Sequence, residues 1–344
     1  MLRRELRRCD LVEVKSPAEI LATLDEQGDL NGLPFMPEMA AYCGRRFTVE
    51  RRADKVCDTV QFTGSRRLPN AVLLDDLRCD GGGHDGCQAE CRFFWKDEWL
   101  NRVAPDTPMP KHFPERDRTA LIERTSRYAR SVTRVNGKEI VRYRCQATEV
   151  PRCTEHLRTW DPRPYVRELT SGNVPLGRFL RVMSRAVIEE PQRKLGLLPV
   201  FFLTGTAKRG DVFGTLDLRV GELVRVKSKE EIARTLDGVG TNRGLRFDRE
   251  MLPFCGQVFC VHSRVERFID ETKSVMVVLK SDAVTLDGAV CSGEINLTRW
   301  FCPRAIYAFW RECWLERVPP TVTSDPDAHA TRHERSRFAT PAGL

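Results

Sequence analysis

The sequence predicts an α+β fold with two duplicated small β-barrel modules, each closed by a tryptophan-bearing helix, which flank a β-hairpin and a helical insert. An internal repeat in the 344-residue chain indicates the duplication. Within each copy, short alternating apolar stretches between glycine-rich turns indicate strands. Between the copies, an Asn-Gly pair joins two alternating stretches, which is typical of a hairpin.

The repeat is long and free of gaps over most of its length. Residues 6–79 align with 218–291 at a constant offset of 212. Beyond Cys79 the offset becomes 215, and Trp95 and Trp99 then match Trp310 and Trp314. Because the usual domain size is about 100 residues, we predict these divisions: module 1 at 1–103, linker, hairpin and helical insert at 104–217, module 2 at 218–318 and a disordered tail at 319–344.

Each module is predicted to follow one order of elements. In the second copy a short alternating strand comes first, at 223–226, and the capping box formed by Ser228 and Glu231 then begins a helix. Alternating strands follow at 257–261 and 274–279. A closing helix is predicted from Cys302, because Pro303 occupies the favoured first helical position.

The insert is predicted to contain a linker, a hairpin and helices. Residues 104–116 are rich in proline and charge, which is typical of a linker. Residues 128–135 and 138–146 flank the Asn-Gly turn and are predicted to pair as a hairpin. Residues 161–195 are predicted to form helices with a break at Gly172.

The first strand of the second module reads Gly221-Glu222-Leu223-Val224-Arg225-Val226, and its partner in the first module begins at Cys9. This opening resembles that of SH3-like, KOW-type barrels in ribosomal and transcription-factor modules, and the resemblance implies a five-stranded barrel. The His-x-Gly-Cys-Gln-x-x-Cys segment at 84–91, followed by Phe-Trp-Lys at 94–96, resembles an uncharacterised bacterial family. That family implies no settled activity.

Four candidate metal ligands lie within thirteen residues of the first module. Cys79, His84, Cys87 and Cys91 form the pattern C-x4-H-x2-C-x3-C. Thiolate and imidazole are the ligands of zinc and iron–sulfur centres, and the four glycines between 81 and 86 let the chain wrap a small centre. Cys87 is predicted at the start of a helix, where partial positive charge favours a thiolate.

The identity of the metal is left open between zinc and a [4Fe–4S] cluster. With His84 the set is Cys3His, which suits zinc. With Cys145 in place of His84, the set is all thiolate and suits a [4Fe–4S] cluster. Cys43 is a reserve ligand. The alternative interpretation is that the thiols are small buried core residues.

The second copy serves as an internal control for these ligands. Cys79 and Cys87 correspond to cysteines, at 291 and 302, whereas His84 corresponds to Arg299 and Cys91 to Ile306. Arginine and isoleucine do not ligate metals. We therefore predict that module 1 binds the metal and that module 2 has a degenerate site and is mainly structural.

Composition narrows the class of protein. The chain has thirteen cysteines, a net charge of +8, no apolar run long enough for a membrane span and no secretory signal pattern. We expect a cytoplasmic bacterial metal-binding protein with a structural or redox role in a biosynthetic system. Two alternatives are a protein that binds nucleic acid or another polyanion through its barrels, and a scaffold that binds protein partners through its tryptophan-bearing helices. No phosphate-binding loop, dinucleotide fingerprint or catalytic residue is identified.

Overall fold

The computed structural model describes residues 5–108, 112–158, 161–197, 203–208, 211–280, 282–296 and 298–319. These residues form an α+β protein with many small antiparallel sheets and few helices, which confirms the predicted class. The predicted tail lies outside the described residues from position 320 onward. None of the described helices combines the length and apolar character needed to span a bilayer.

Module 1 contains one five-stranded antiparallel sheet in the order β8-β7-β4-β1-β9. Its capping box at Ser16 and Glu19 begins helix α1, as the repeat predicts. The elements of this module are β1 (Leu11–Val14), α1 (Pro17–Leu21), β2 (Asp29–Leu30), β3 (Leu33–Pro34), β4 (Arg46–Arg52), β5 (Lys55–Cys57), β6 (Ser65–Arg67), β7 (Ala71–Leu74), β8 (Trp95–Lys96) and β9 (Leu100–Arg102).

The insert contains the predicted hairpin, and Asn136 and Gly137 take the positive φ angles of 49° and 76° that its turn requires. The predicted helices at 161–195 are also present, with the break at Gly172. The linker prediction is wrong after Pro114, where a helix begins. The elements of the insert are α2 (Glu115–Ser126), β10 (Arg130–Val135), β11 (Lys138–Tyr143), α3 (Val150–Cys153), β12 (Glu155–His156), α4 (Pro162–Thr170) and α5 (Leu176–Lys194).

Module 2 contains a second five-stranded sheet, in the corresponding order β20-β19-β16-β13-β21. Leu11 lies opposite Thr48 in the first sheet, and Leu223 lies opposite Cys260 in the second, so equivalent positions share a register. The elements are β13 (Leu223–Val226), α6 (Lys229–Ala233), β14 (Thr241–Asn242), β15 (Leu245–Arg246), β16 (Val258–Arg264), β17 (Arg267–Asp270), β18 (Val275–Val278), β19 (Ala283–Leu286), β20 (Trp310–Arg311) and β21 (Leu315–Arg317).

The described strands do not close into the barrels that the SH3-type opening implies. In each five-stranded sheet the two edge strands pair with only one neighbour among the described residues. Other strands of the two modules pair outside these sheets. The β5–β6 hairpin pairs with β12 of the insert, and β17 pairs only with β18 in the described part of the chain.

The prediction that a tryptophan-bearing helix closes each module is wrong. Trp95 begins strand β8, and Trp99 ends a single 3-10 turn that leads directly into β9. Both side chains are fully buried, and the Phe35 ring lies edge-on to them at centroid distances of 6.2 and 5.1 Å. A tight turn between two strands therefore brings residues four apart to one core, as a helix would. The buried indoles therefore do not form the binding surface that the scaffold alternative assigned to them.

Each module covers the cysteine-containing loop of the other. In one direction, the Ile269 N–H donates to the Cys87 Sγ at 3.4 Å. In the other direction, the Cys57 N–H donates to the Cys302 Sγ at 3.1 Å. Cys57 and Ile269 are equivalent positions of the repeat. The two copies therefore contact each other reciprocally, as the subunits of a twofold-symmetric dimer do.

His262 adds an ionic contact between the modules. Its Nε2 lies 2.8 Å from the Glu90 carboxylate, and its Nδ1 lies 2.7 Å from that of Asp287. The ring also stacks on Tyr307 at a centroid distance of 4.9 Å. Burial disfavours the charged imidazole, but the hydrogen bonds and charges of Glu90 and Asp287 outweigh burial and raise the pKa of His262.

The raised pKa predicts that this contact weakens at alkaline pH. A raised pKa in the folded state gives stability that is fully present below the ordinary value of 6.5 and is lost as pH rises through the folded value. His262→Gln should make the free energy of unfolding less dependent on pH between about pH 6 and pH 9, as measured by urea unfolding. His156→Gln changes an exposed histidine and should retain the wild-type pH dependence. An identical pH dependence in wild type and His262→Gln would contradict this assignment.

Because Phe35 is buried against both tryptophans of module 1, we expect removal of its ring to reduce the stability of the fold strongly. Phe35→Ala deletes a ring that is 1% exposed and contacts both indoles, so the free energy of unfolding should fall by about 3–5 kcal/mol. Phe62, at 64% exposure, provides the matched control, and Phe62→Ala should change stability by about 0.5 kcal/mol or less. Chemical denaturation measures both, and similar losses in the two variants would refute the proposed core.

Candidate metal centre

The cysteine-rich loop of module 1 is built from turns rather than from the predicted helix. The Cys79 N–H donates to the Cys91 carbonyl at 2.8 Å and closes the base of the loop. Gly81 has a φ of +74°, and its carbonyl accepts hydrogen bonds from the N–H groups of His84 and Gly86. The prediction that a helix begins at Cys87 is therefore wrong. The Cys87 N–H donates to the His84 carbonyl within the loop, and the Gln88 N–H donates to the Arg267 carbonyl of the second module.

Glu38 brings Cys79 and His84 together. It lies on the 3-10 helix Pro37–Tyr42, and its Oε1 accepts the Gly83 N–H at 2.8 Å. The same oxygen lies 3.3 Å from His84 Nδ1 and 3.7 Å from the Cys79 Sγ. The ligand atoms of these three side chains lie within 4.8 Å of one another, and no other such group of three occurs among the described residues.

The hydrogen bonds of His84 orient it as metal-binding histidines are oriented. Its ring is buried, and Nε2 lies 3.1 Å from the Arg144 carbonyl, which accepts but does not donate. Nε2 of a neutral ring therefore carries the proton, and Nδ1 presents its lone pair to the Glu38 carboxylate. Two acceptors face each other stably only when a proton or a metal ion lies between them. A backbone carbonyl on the distal N–H is also typical of ligating histidines.

Glu38 also has a buried carboxylate oxygen, Oε2, without a hydrogen-bond partner among the described residues. Burial opposes its ionisation, but hydrogen bonds from backbone N–H groups, together with one from the His84 ring when that ring is protonated, outweigh burial and lower the pKa of Glu38. In module 2 the equivalent Glu250 is satisfied at both oxygens. Ser292 donates to Oε2, whereas the N–H groups of Ile295 and Asn296 donate to Oε1 at 3.0 Å. Only the first copy leaves an oxygen for a cation.

The remaining candidate thiols surround a small cavity beside this group. The cavity has a volume of about 40 Å³, which exceeds the space needed for one water molecule. Burial raises the pKa of the Cys79 and Cys91 thiols far above their usual range and that of Cys145 to about 11. Without a cation these thiols stay protonated, so a metal would displace protons when it binds. The lining includes Cys79, His84, Cys87, Cys91 and Cys145.

The structure thus brings the sequence-predicted ligands into one region but does not place all of them around one point. Cys79 and His84 converge, whereas no three of the cavity sulfurs lie within 4.8 Å of one another. The four-residue ligand set stays a prediction. The reserve ligand Cys43 packs against the core of module 1 and does not line the cavity. Sequence reasoning missed Glu38, although the repeat pairs it with Glu250.

Comparison with known proteins does not add an assignment. No protein-family model, curated protein or solved structure matches the chain. The site is therefore interpreted from its residues and their geometry.

The loop geometry predicts a specific need for glycine at position 81. A Cβ there would lie 2.7 Å from the Cys87 backbone nitrogen and closer still to the Cys87 carbonyl oxygen, whereas a Cβ at Gly86 meets nothing within 4 Å. Both residues have positive φ. Gly81→Ala should therefore lower the melting temperature and the metal content more than Gly86→Ala, which carries only the backbone strain. Equal losses in calorimetry and metal analysis would show that steric fit at position 81 is unimportant.

Proposed function

We propose that the chain is a metal-binding protein whose first module holds one zinc ion between Glu38, Cys79 and His84. One observation carries the proposal. Three buried or half-buried donors lie within 4.8 Å of one another, and one of them has an oxygen without a partner among the described residues. A divalent cation would bind that Glu38 oxygen. It would also lie between the His84 Nδ1 lone pair and the Glu38 carboxylate, which are two acceptors that face each other.

The donor types favour zinc. Sulfur, imidazole nitrogen and carboxylate oxygen are the three ligand types that zinc uses, usually in a tetrahedron. Three protein ligands leave one position for water or for a further thiol. Because the neighbouring cavity is also lined by the loop thiols Cys87 and Cys91, we assign the fourth position to one of these two sulfurs and the ion to a structural role. We also place the protein in the cytoplasm, where thiols stay reduced.

A second candidate is a [4Fe–4S] cluster held by Cys79, Cys87, Cys91 and Cys145. All four thiols line one cavity, although Cys145 is distant from the others in the sequence. Around a single zinc ion, bonds of about 2.3 Å place thiolates roughly 3.8 Å apart. No three of these sulfurs lie within 4.8 Å of one another, and a centre with several metal atoms does not require its thiolates to meet at one ion. In this arrangement His84 is not a ligand.

Elemental analysis and visible absorption of the anaerobically purified full chain would test the proposal. We expect a colourless protein with one zinc per chain. Glu38→Gln should weaken zinc binding by at least about tenfold, measured by competition with a chelating dye. Glu250→Gln is the matched control in the second copy, and Cys145→Ser is the control for the cluster, because both should retain zinc.

A brown protein that contains iron and sulfide would instead support the cluster. In that case Cys145→Ser should lose the colour and Glu38→Gln should retain it, which is the reverse of the pattern expected for zinc. A chain that takes up neither zinc nor iron, in aerobic or anaerobic preparations, would overturn both candidates.

A further inference from the structure

The hairpin of the insert is exposed over most of its length. We call residues 130–143, which form β10, its turn and β11, the ribbon. Every residue of 130–139 is exposed, including Val132 at 59% and Val135 at 48%. The two strands form a sheet of their own, and β10 has no second partner among the described residues. The outer edge of β10 and both faces of the ribbon near its turn are therefore uncovered.

The ribbon is strongly basic. Its only carboxylate, Glu139, lies 2.8 Å from Arg134, and the two side chains are 63% and 71% exposed. An ion pair that is this exposed contributes little and is screened by salt, so it leaves Arg134 available to a phosphate. The four cationic side chains of the ribbon, all exposed, are Arg130, Arg134, Lys138 and Arg142.

The base of the ribbon is fixed to both modules. The Tyr143 hydroxyl donates to Asp85 of the cysteine-rich loop at 2.7 Å, and Arg130 lies 3.4 Å from the same carboxylate. On the side of module 2, the Tyr143 N–H donates to the Ser274 carbonyl at 2.7 Å, in the turn between β17 and β18. An isolated two-stranded hairpin is only marginally stable in water. These contacts therefore hold the ribbon in place while its turn stays free.

The dimensions of the ribbon match the major groove of double-stranded DNA. Each strand has six residues, which at about 3.3 Å per residue span about 20 Å, the length of about six base pairs. The major groove is about 12 Å wide and admits a two-stranded β-ribbon. Arg134 and Lys138 lie beside the turn, whereas Arg130 and Arg142 lie near the base. Positive charge is thus distributed along the whole length that would lie in the groove.

A strand of another protein is the main alternative occupant, because uncovered strand edges pair with other chains. Charged side chains on an edge oppose such pairing, and Arg130 and Arg134 both lie on β10. The charge and exposure of the ribbon therefore favour a polyanion. The sequence analysis considered nucleic-acid binding through closed barrels, which the described strands do not form.

We propose that the ribbon binds double-stranded DNA by lying in its major groove, with the cationic side chains on the phosphates. Each phosphate contact releases counterions from the DNA, so the affinity falls steeply as salt rises. Duplex RNA has a deep and narrow major groove, and the ribbon binds it more weakly. The proposal is independent of the proposed zinc site, because it shares no residue with it.

Fluorescence anisotropy with the full chain and a labelled DNA duplex of about 20 base pairs tests the proposal. We expect binding at about 50 mM salt, and a plot of log affinity against log salt with a slope of about −3 to −4. Arg134→Gln combined with Lys138→Gln should weaken binding at least about tenfold and make the slope shallower by about 2. The matched control, Arg181→Gln combined with Lys229→Gln, removes the same charge from exposed positions of α5 and α6 and should leave the affinity within about twofold of wild type.

Three results would overturn the proposal. The first is equal DNA affinity in wild type and in the ribbon variant, once circular dichroism shows that both are folded. The second is equal affinity for DNA and RNA duplexes of the same sequence. The third is a chain that does not bind DNA at about 50 mM salt, and self-association in sedimentation experiments would then assign the edge of β10 to strand pairing between two copies. Zinc content, measured on the Glu38 variant, reports separately on the metal centre.

Discussion

Two backbone N–H groups, one from each module, are directed at a cysteine sulfur of the other module. Ile269 donates to Cys87, and Cys57 donates to Cys302. Both N–H groups belong to hairpins that lie outside the five-stranded sheets of the described residues. The hairpin of each copy lies over the loop of the other, where it contributes a wall of the partner's cavity.

The two glutamates that the repeat aligns, Glu38 and Glu250, differ in how many of their oxygens accept hydrogen bonds. The same glutamate anchors the loop in both modules, yet Ser292 and the longer loop of module 2 satisfy both oxygens of Glu250. In module 1 the equivalent loop satisfies only one oxygen of Glu38, and His84 stands beside it. A buried carboxylate with a free oxygen is costly unless a cation neutralises it. The number of satisfied oxygens therefore distinguishes Glu38, a candidate metal ligand, from Glu250, which only anchors its loop. The number of cysteines in each loop distinguishes the two less clearly.

Local patterns in the sequence were sufficient for elements whose conformation is decided by near neighbours. The Asn136-Gly137 turn needs two positive φ angles, and the capping boxes satisfy N–H groups within one turn of chain. The prediction of closing helices failed because the four-residue spacing of Trp95 and Trp99 does not identify a helix. A strand that continues through a 3-10 turn into a second strand places both side chains in the same core. The sequence analysis missed helix α2 for two reasons. Its N-cap, Pro114, provides no side-chain hydrogen bond, and the helix is so polar that the buried Leu121 does not produce a clear apolar stripe.

The sequence by itself determined the class of fold, the hairpin and the insert helices, and it predicted the repeat and the segment in which candidate metal ligands are concentrated. These depend on periodicity, turn chemistry and residue type, which act over a few positions. Only the tertiary structure decided that Glu38 joins Cys79 and His84, that Cys145 lines a cavity with those two ligands and that Cys57 lines the cavity of the second module. Those juxtapositions arise from contacts between segments far apart in the chain, and such contacts leave no spacing that a single sequence can reveal.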